Sequence, residues 1–112
     1  MSAGKYNIII EQGADFQLSL VLKQGNNLPY NLTGATGLAQ LRLTPESAVV
    51  LATFTIDFET PRTDGKIKLS IPAATTSTFT FFKAVYDLYI TNSGITKRLL
   101  EGEVVLSKAV SR

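Results

Sequence analysis

The stretch that decides the fold class is FQLSLVL, residues 16–22. Its apolar residues recur at every second position, with polar Gln17 and Ser19 between them and Val21 as the exception. Alternate side chains of an extended chain point to opposite faces of a sheet. The pattern therefore predicts a β-strand with one face in the core and one face in water.

The same period of two residues recurs in four other segments. Apolar and polar residues alternate at 39–43, 67–71, 86–90 and 100–106. Turn residues separate the strands, and Asp64-Gly65 and Asn92-Ser93-Gly94 suit the positive φ that tight hairpin turns need. Short strands at regular spacing are typical of a sandwich or barrel. We therefore expect an all-β fold, an immunoglobulin-like antiparallel β-sandwich of about seven strands.

One segment departs from the alternation. Residues 72–79 begin with a proline and contain two adjacent alanines. Proline suits the first position of a helix, so the segment predicts one short helical turn across an end of the sandwich. A length of 112 residues matches one domain. We expect a single domain over residues 1–112, with residues 1–4 flexible.

The composition narrows the range of functions. The chain has no His and no Cys, which excludes Ser-His-Asp and Cys-His triads, thiol redox chemistry and Cys/His zinc sites. The net charge is +2, and the basic residues are spread along the chain, whereas a nucleic-acid surface concentrates them. No segment approaches the roughly 20 apolar residues of a membrane span. We expect no enzymatic activity, no cofactor, no nucleic-acid partner and no membrane contact.

The acidic residues Asp57, Glu59 and Asp64 are the remaining candidates for chemistry. Asp57 and Glu59 share one face of an extended strand, so the pair could hold a hard cation or act as an acid and a base. Basic residues at 62 and 66 are near enough to neutralise the pair. We interpret the group as a solvated strand end and expect no metal site, with a small metal-dependent hydrolase or nuclease as the weakest alternative.

Two segments near the ends of predicted strands suit contacts with another subunit. Residues 6–10 are strand-like and could pair along the edge of their own sheet or of a neighbour's. Phe79, Phe81 and Phe82 crowd into four residues and cannot all enter one core if the segment is extended. They are either packed by the helical turn or exposed as an apolar contact surface.

The last predicted strand adds a third candidate contact. Leu99 and Val105 break its alternation, and Glu101 and Glu103 share its outward face. The two carboxylates either meet a basic residue on the neighbouring strand or contact another subunit. The complete set of predicted partner-binding residues is Tyr6, Ile8, Ile10, Phe79, Phe81, Phe82, Leu99, Glu101, Glu103 and Val105.

Seven short motifs follow one another in an order that covers nearly the whole chain. They are Gly13-Ala14-Asp15-Phe16, Asn31-Leu32-Thr33-Gly34, Leu41-Arg42-Leu43, Asp64-Gly65-Lys66-Ile67, Leu69-Ser70-Ile71-Pro72, Val85-Tyr86-Asp87-Leu88 and Arg98-Leu99-Leu100-Glu101-Gly102. The ordered set resembles the small immunoglobulin-like domains of tailed-bacteriophage virion proteins. Within them it is most similar to the N-terminal domain of baseplate upper proteins and related tail-fibre attachment proteins.

The resemblance implies a non-enzymatic structural subunit that binds other virion proteins of the tail, baseplate or fibre. It implies several copies in a symmetric assembly and a location in the virion after synthesis in the host cytoplasm. Members of that family usually continue into a stem or receptor-binding head, whereas this sequence ends at Arg112, which favours a stand-alone adaptor. A capsid decoration protein fits the same residues. A carbohydrate- or cell-surface-binding module is the second class, and the absence of Trp argues against it.

Overall fold

The computed structural model describes residues 4–23 and 28–110. The prediction of flexibility for residues 1–4 lies outside this range except at Gly4, which belongs to a strand. The described part of the chain forms nine strands: β1 (Gly4–Lys5), β2 (Ile8–Glu11), β3 (Phe16–Val21), β4 (Thr36–Arg42), β5 (Ala52–Thr53), β6 (Thr55–Phe58), β7 (Lys66–Ile71), β8 (Lys83–Asn92) and β9 (Ile95–Ser107). Two of them, β1 and β5, have only two residues, so the remaining strands match the expected number.

The strands form two sheets that pack on a common core. The larger sheet has the order β1-β9-β8-β4-β5, with β2 also paired to β9, and the smaller sheet has the order β3-β7-β6. Two packed sheets confirm the predicted all-β sandwich. The pairing is antiparallel except at the N-terminus, where β1 and β2 run parallel to β9.

The core follows the predicted alternation in most strands. Ile67, Leu69 and Ile71 of β7 are fully buried, and so is Leu88 of β8. The prediction is wrong at Leu43, which lies one residue beyond the end of β4 and is exposed. Alternation therefore locates the core face of a strand only as far as the strand remains paired.

Two connections that the sequence predicted as tight hairpins differ in structure. Ser93 and Gly94 join β8 to β9 with φ of 53° and 77°, which are the positive values of a type I′ turn. The connection from β6 to β7 is longer. It contains a cis peptide bond before Pro61 and a 3-10 helix, Arg62–Asp64, which Gly65 ends. The predicted two-residue turn at Asp64-Gly65 is therefore wrong.

The predicted helical turn is confirmed as α1, Ala73–Thr76, directly after Pro72. The backbone N–H of Ala73 donates to Asp15 Oδ1 at 2.6 Å. The buried Thr76 hydroxyl accepts from Gly13 N at 3.1 Å and donates to Ala14 O at 2.8 Å. These bonds attach α1 to the turn between β2 and β3 and close that end of the sandwich.

Candidate binding surface on the larger sheet

The face of the larger sheet that points away from the smaller sheet is called here the outer face. Its side chains are those that alternate with the buried residues of each strand, such as Val85, Asp87 and Tyr89 of β8. Register places Asp87 between Gln40 of β4 and Glu101 of β9. Residues far apart in the chain thereby lie side by side in rows across the sheet.

A groove of about 730 Å³ runs across the outer face. Six charged side chains line it, and they are Lys5, Arg42, Asp87, Arg98, Glu101 and Glu103. Three are basic and three are acidic, so the groove is close to neutral overall but strongly patterned in charge. Such a surface suits a partner that carries the complementary pattern.

Two of the basic groups in the groove are held by hydrogen bonds or an ion pair. The Arg42 guanidinium donates to Ser47 O at 2.7 Å and to Gln40 Oε1 at 3.1 Å. Arg98 Nε lies 3.3 Å from Glu101 Oε1 in a partly exposed pair. A planar guanidinium with fixed orientation presents its remaining donors in a defined direction, which favours recognition of a specific partner.

Asp87 lies in the middle of the groove, and its environment disfavours its charge. Burial raises the pKa of the Asp87 carboxyl, and the neighbouring Glu101 carboxylate raises it further, whereas Arg98 and Arg42 act in the opposite direction. The two acids are directly opposite in the register of β8 and β9. Like charges in that position repel, and Arg98 and Arg42 offset this repulsion within the chain itself.

The N-terminal segment forms one wall of the groove because it is attached to β9. The Tyr86 hydroxyl donates to the Tyr6 carbonyl at 2.5 Å, and the backbone N–H of Glu103 donates to Asn7 Oδ1 at 3.0 Å. A Cβ on Gly102 would overlap the Tyr6 carbonyl group, so only glycine fits there. Burial raises the pKa of the Tyr86 hydroxyl to about 12, so the hydroxyl remains protonated as the donor to the Tyr6 carbonyl.

Apolar side chains flank the charged groove on the outer face. Ile9 is 67% exposed and lies opposite Val105 at one end. Leu38 is 47% exposed and lies opposite Tyr89 at the other. A charged centre between apolar flanks gives a contact surface both specificity and area to bury.

Four of the predicted contact residues lie in the core and have no surface to offer a partner, which corrects that part of the prediction. Ile8 and Ile10 are 5% and 0% exposed, because β2 pairs with β9 of its own sheet and turns these side chains inward. Phe79 and Phe81 are 4% and 8% exposed, with ring centroids 5.2 Å apart. The helical turn packs them, as one of the two interpretations expected.

The other six predicted residues have some exposed surface. Tyr6 and Phe82 are exposed, and Glu101, Glu103 and Val105 lie on the outer face. Leu99 is the extra residue of a bulge, since Leu88 pairs with Leu100 and Tyr89 with Arg98. The bulge explains why Leu99 breaks the alternation, and its half-buried side chain packs against the core.

Sequence reasoning did not select Lys5, Arg42, Asp87 and Arg98 as contact residues. Alternation alone could have found that Arg42 and Asp87 point outward, since both lie between apolar residues in the sequence. Their neighbourhood in the groove depends on the pairing of β4, β8, β9 and β1. The pairing of β4 with β8 and of β1 with β9 joins residues more than 40 positions apart in sequence.

The acidic group considered for chemistry is dispersed. Asp57 lies opposite Lys68 in the pairing of β6 with β7, Glu59 follows the end of β6, and Asp64 ends the 3-10 helix. Within residues 4–23 and 28–110, no three acidic side chains are grouped as ligands of a metal ion would be. No helix in the same residues is long and apolar enough to cross a bilayer.

The chain has no match among known protein families, and a search of curated proteins also finds no matching sequence.

Proposed function

We propose that this chain is a non-enzymatic structural subunit of a tailed-phage virion, acting as an adaptor of the tail, baseplate or fibre. The observation that carries the proposal is the composition of the groove. Three of the segments that resemble the phage domains meet there, contributing Arg42, Asp87 and the pair of Arg98 with Glu101. Segments that carry the resemblance therefore meet in the charge-patterned groove.

The proposed mechanism is complementarity of shape and charge. Strands β8 and β9 are 10 and 13 residues long, and their pairing provides a rigid platform for the groove. A partner whose charges complement the acidic and basic groups of the groove binds there, and Ile9 and Leu38 supply apolar area at the two ends. Each copy in a symmetric assembly presents the same surface to its neighbour.

The first experiment asks whether the chain belongs to a particle. Phage particles released by the cells that encode it are purified and analysed by quantitative mass spectrometry and antibody labelling in the electron microscope. We expect a fixed number of copies per particle and label at the tail or its attached structures. Label on the capsid surface would identify the chain as a capsid decoration protein instead of an adaptor. Particles that lack the chain would refute the proposal.

The second experiment tests the groove itself. Exchanging Arg98→Glu with Glu101→Arg retains the ion pair and the net charge but reverses the pattern that a partner meets. We expect copies per particle to fall at least about tenfold, as for a lost charge pair at an interface. The matched control is Asp57→Lys with Lys68→Asp on the smaller sheet, which should leave incorporation unchanged. Equal incorporation of both variants would show that the groove is not the contact.

A further inference from the structure

The strand β3 has one unpaired edge. In residues 4–23 and 28–110 it pairs with β7 alone. The backbone N–H of Leu22, just after the strand, donates to Gly65 O at 2.7 Å, which places the even-numbered residues in hydrogen-bonded pairs with β7. Antiparallel pairs alternate, so the N–H and C=O groups of Gln17, Ser19 and Val21 point to the open edge.

This edge lacks the features by which proteins usually protect an exposed strand. Between Phe16 and Val21 there is no charged residue and no proline, and the pairing with β7 is regular along the strand. The other edge strands among the described residues are shorter: β1 and β5 have two residues each, and β2 and β6 have four each, including Glu11 and Asp57. An uncharged edge of six residues is a template for pairing with another strand.

Apolar surface remains uncovered along the same edge. Phe16, Leu18 and Leu20 face the core but are only half-buried, whereas their partners on β7 are fully buried. The difference arises because β3 has a neighbour on one side only. An added strand would therefore cover apolar side chains as well as satisfy backbone groups.

We propose that the occupant of this edge is a second copy of the chain, paired antiparallel along β3 about a two-fold axis at Ser19. In that register Ser19 faces Ser19 of the second copy, Gln17 faces Val21, and Leu18 faces Leu20. The two three-stranded sheets then join into one sheet with about six new backbone hydrogen bonds, two for each bonded pair.

Charge complementarity selects this register. Asp15 of one copy lies opposite Lys23 of the other, just beyond the ends of β3, and the two-fold axis repeats the pair. Asp15 Oδ1 accepts from Ala73 N within its own copy, so the second carboxylate oxygen is the one that meets the lysine. A register centred on Leu18 places Asp15 opposite Val21, and one centred on Leu20 places Lys23 opposite Gln17. Both keep the side chains on their correct faces but lose the two charge pairs.

The lysines of β7 do not oppose the pairing. Lys68 lies opposite Ser19 within each copy, so the two Lys68 side chains are three strand spacings apart, or about 14 Å. That distance exceeds the Debye length of about 8 Å at physiological salt. The attraction between Asp15 and Lys23 acts across one spacing and therefore outweighs it.

Cross-linking tests the register directly, since the chain contains no cysteine. Ser19→Cys should form a disulfide-linked dimer under mild oxidation, because paired Cα atoms are about 5.5 Å apart. Gln17→Cys and Val21→Cys should each fail alone, with their own copies about 13 Å apart, and together they should link. Failure of Ser19→Cys to link, or equal linking of Gln17→Cys alone, would overturn the proposal.

Sedimentation across a concentration series tests the association itself. Ser19→Pro removes the N–H that faces the open edge and no hydrogen bond to β7, so the domain keeps its fold. We expect its dimer to be at least about tenfold weaker, with Ser19→Ala unchanged. Lys23→Glu should weaken the dimer more than Lys97→Glu, which makes the same charge change on β9. A wild-type chain that stays monomeric throughout would refute the dimer.

The inference goes beyond the proposed function and does not depend on it. It uses the smaller sheet, whereas the proposed virion contact uses the outer face of the larger sheet. A chain that dimerises but is absent from particles would overturn the proposed function alone. A monomer that is incorporated through the groove would overturn only the dimer.

Discussion

The two sheets of this sandwich expose different parts of themselves. The larger sheet covers the edge of β9 with β1 and β2 and presents a face with six charged groups around a groove. The smaller sheet presents a face on which neutral residues such as Gln17, Ser19 and Ser70 lie beside Lys66, Lys68 and Asp57, and it leaves the edge of β3 open. The two proposed contacts, with a virion partner and with a second copy, therefore use separate surfaces.

The two sheets differ in their exposed surfaces, but both contribute side chains to the same core. Leu69 of β7 and Leu88 of β8 are each 0% exposed and belong to one cluster. We expect Leu69→Ala and Leu88→Ala to lower the free energy of unfolding by similar amounts, about 3 kcal/mol each. Urea unfolding followed by far-ultraviolet circular dichroism measures both.

The shared core also predicts cooperativity between the sheets. In Leu69→Ala, amide exchange should speed up in β8 as much as in β7, because the core opens as a unit. Exchange that speeds up in the smaller sheet alone would show that the two sheets unfold separately. The sheets would then differ in the stability of their core residues as well as in their surfaces.

The covered edge of the larger sheet depends on one glycine. A Cβ at Gly102 would overlap the backbone of Tyr6 and come within 3.1 Å of Tyr86 Cε1. We expect Gly102→Ala to cost about 2 kcal/mol of stability and to expose the amides of β2 to exchange. Gly4→Ala is the control, since its Cβ would meet nothing closer than 3.7 Å. Equal losses of stability in the two variants would contradict the conclusion that only glycine fits at position 102.

The smallest expected effect concerns the charge of Asp87. Its pKa is raised in the folded chain, so the folded state holds the proton more tightly than the unfolded state, and stability falls as pH rises through the carboxyl range. Asp87→Asn removes that loss. We expect the variant to be more stable than the wild type at pH 7, by about 0.5 kcal/mol after solvent screening.

The pH profile separates this cause from a change in packing. The advantage of Asp87→Asn should vanish in acid, below the unfolded carboxyl pKa of about 3.9, where Asp87 is neutral in both states. A stability difference between variant and wild type that stays constant from pH 3 to pH 7 would show that the substitution acts through packing and not through charge. Asp57→Asn is the control, because Asp57 is exposed and lies opposite Lys68.

The local pattern predicted the strands, the turn at Ser93-Gly94 and the helical turn after Pro72. It also predicted which side of β7 and β8 enters the core. These features follow from two properties of single residues, the alternation of side chains along a strand and the backbone angles a residue tolerates. Neither property requires knowledge of a distant neighbour.

Only the tertiary structure decided which residues meet. The pairing of β2 with β9 placed Ile8 and Ile10 in the core, although an edge of another subunit would have suited the same sequence. Pairing also brought Lys5, Asp87 and Glu101 together. Every extended strand offers the same backbone donors and acceptors, so the choice of partner depends on how the whole set of apolar faces is buried at once.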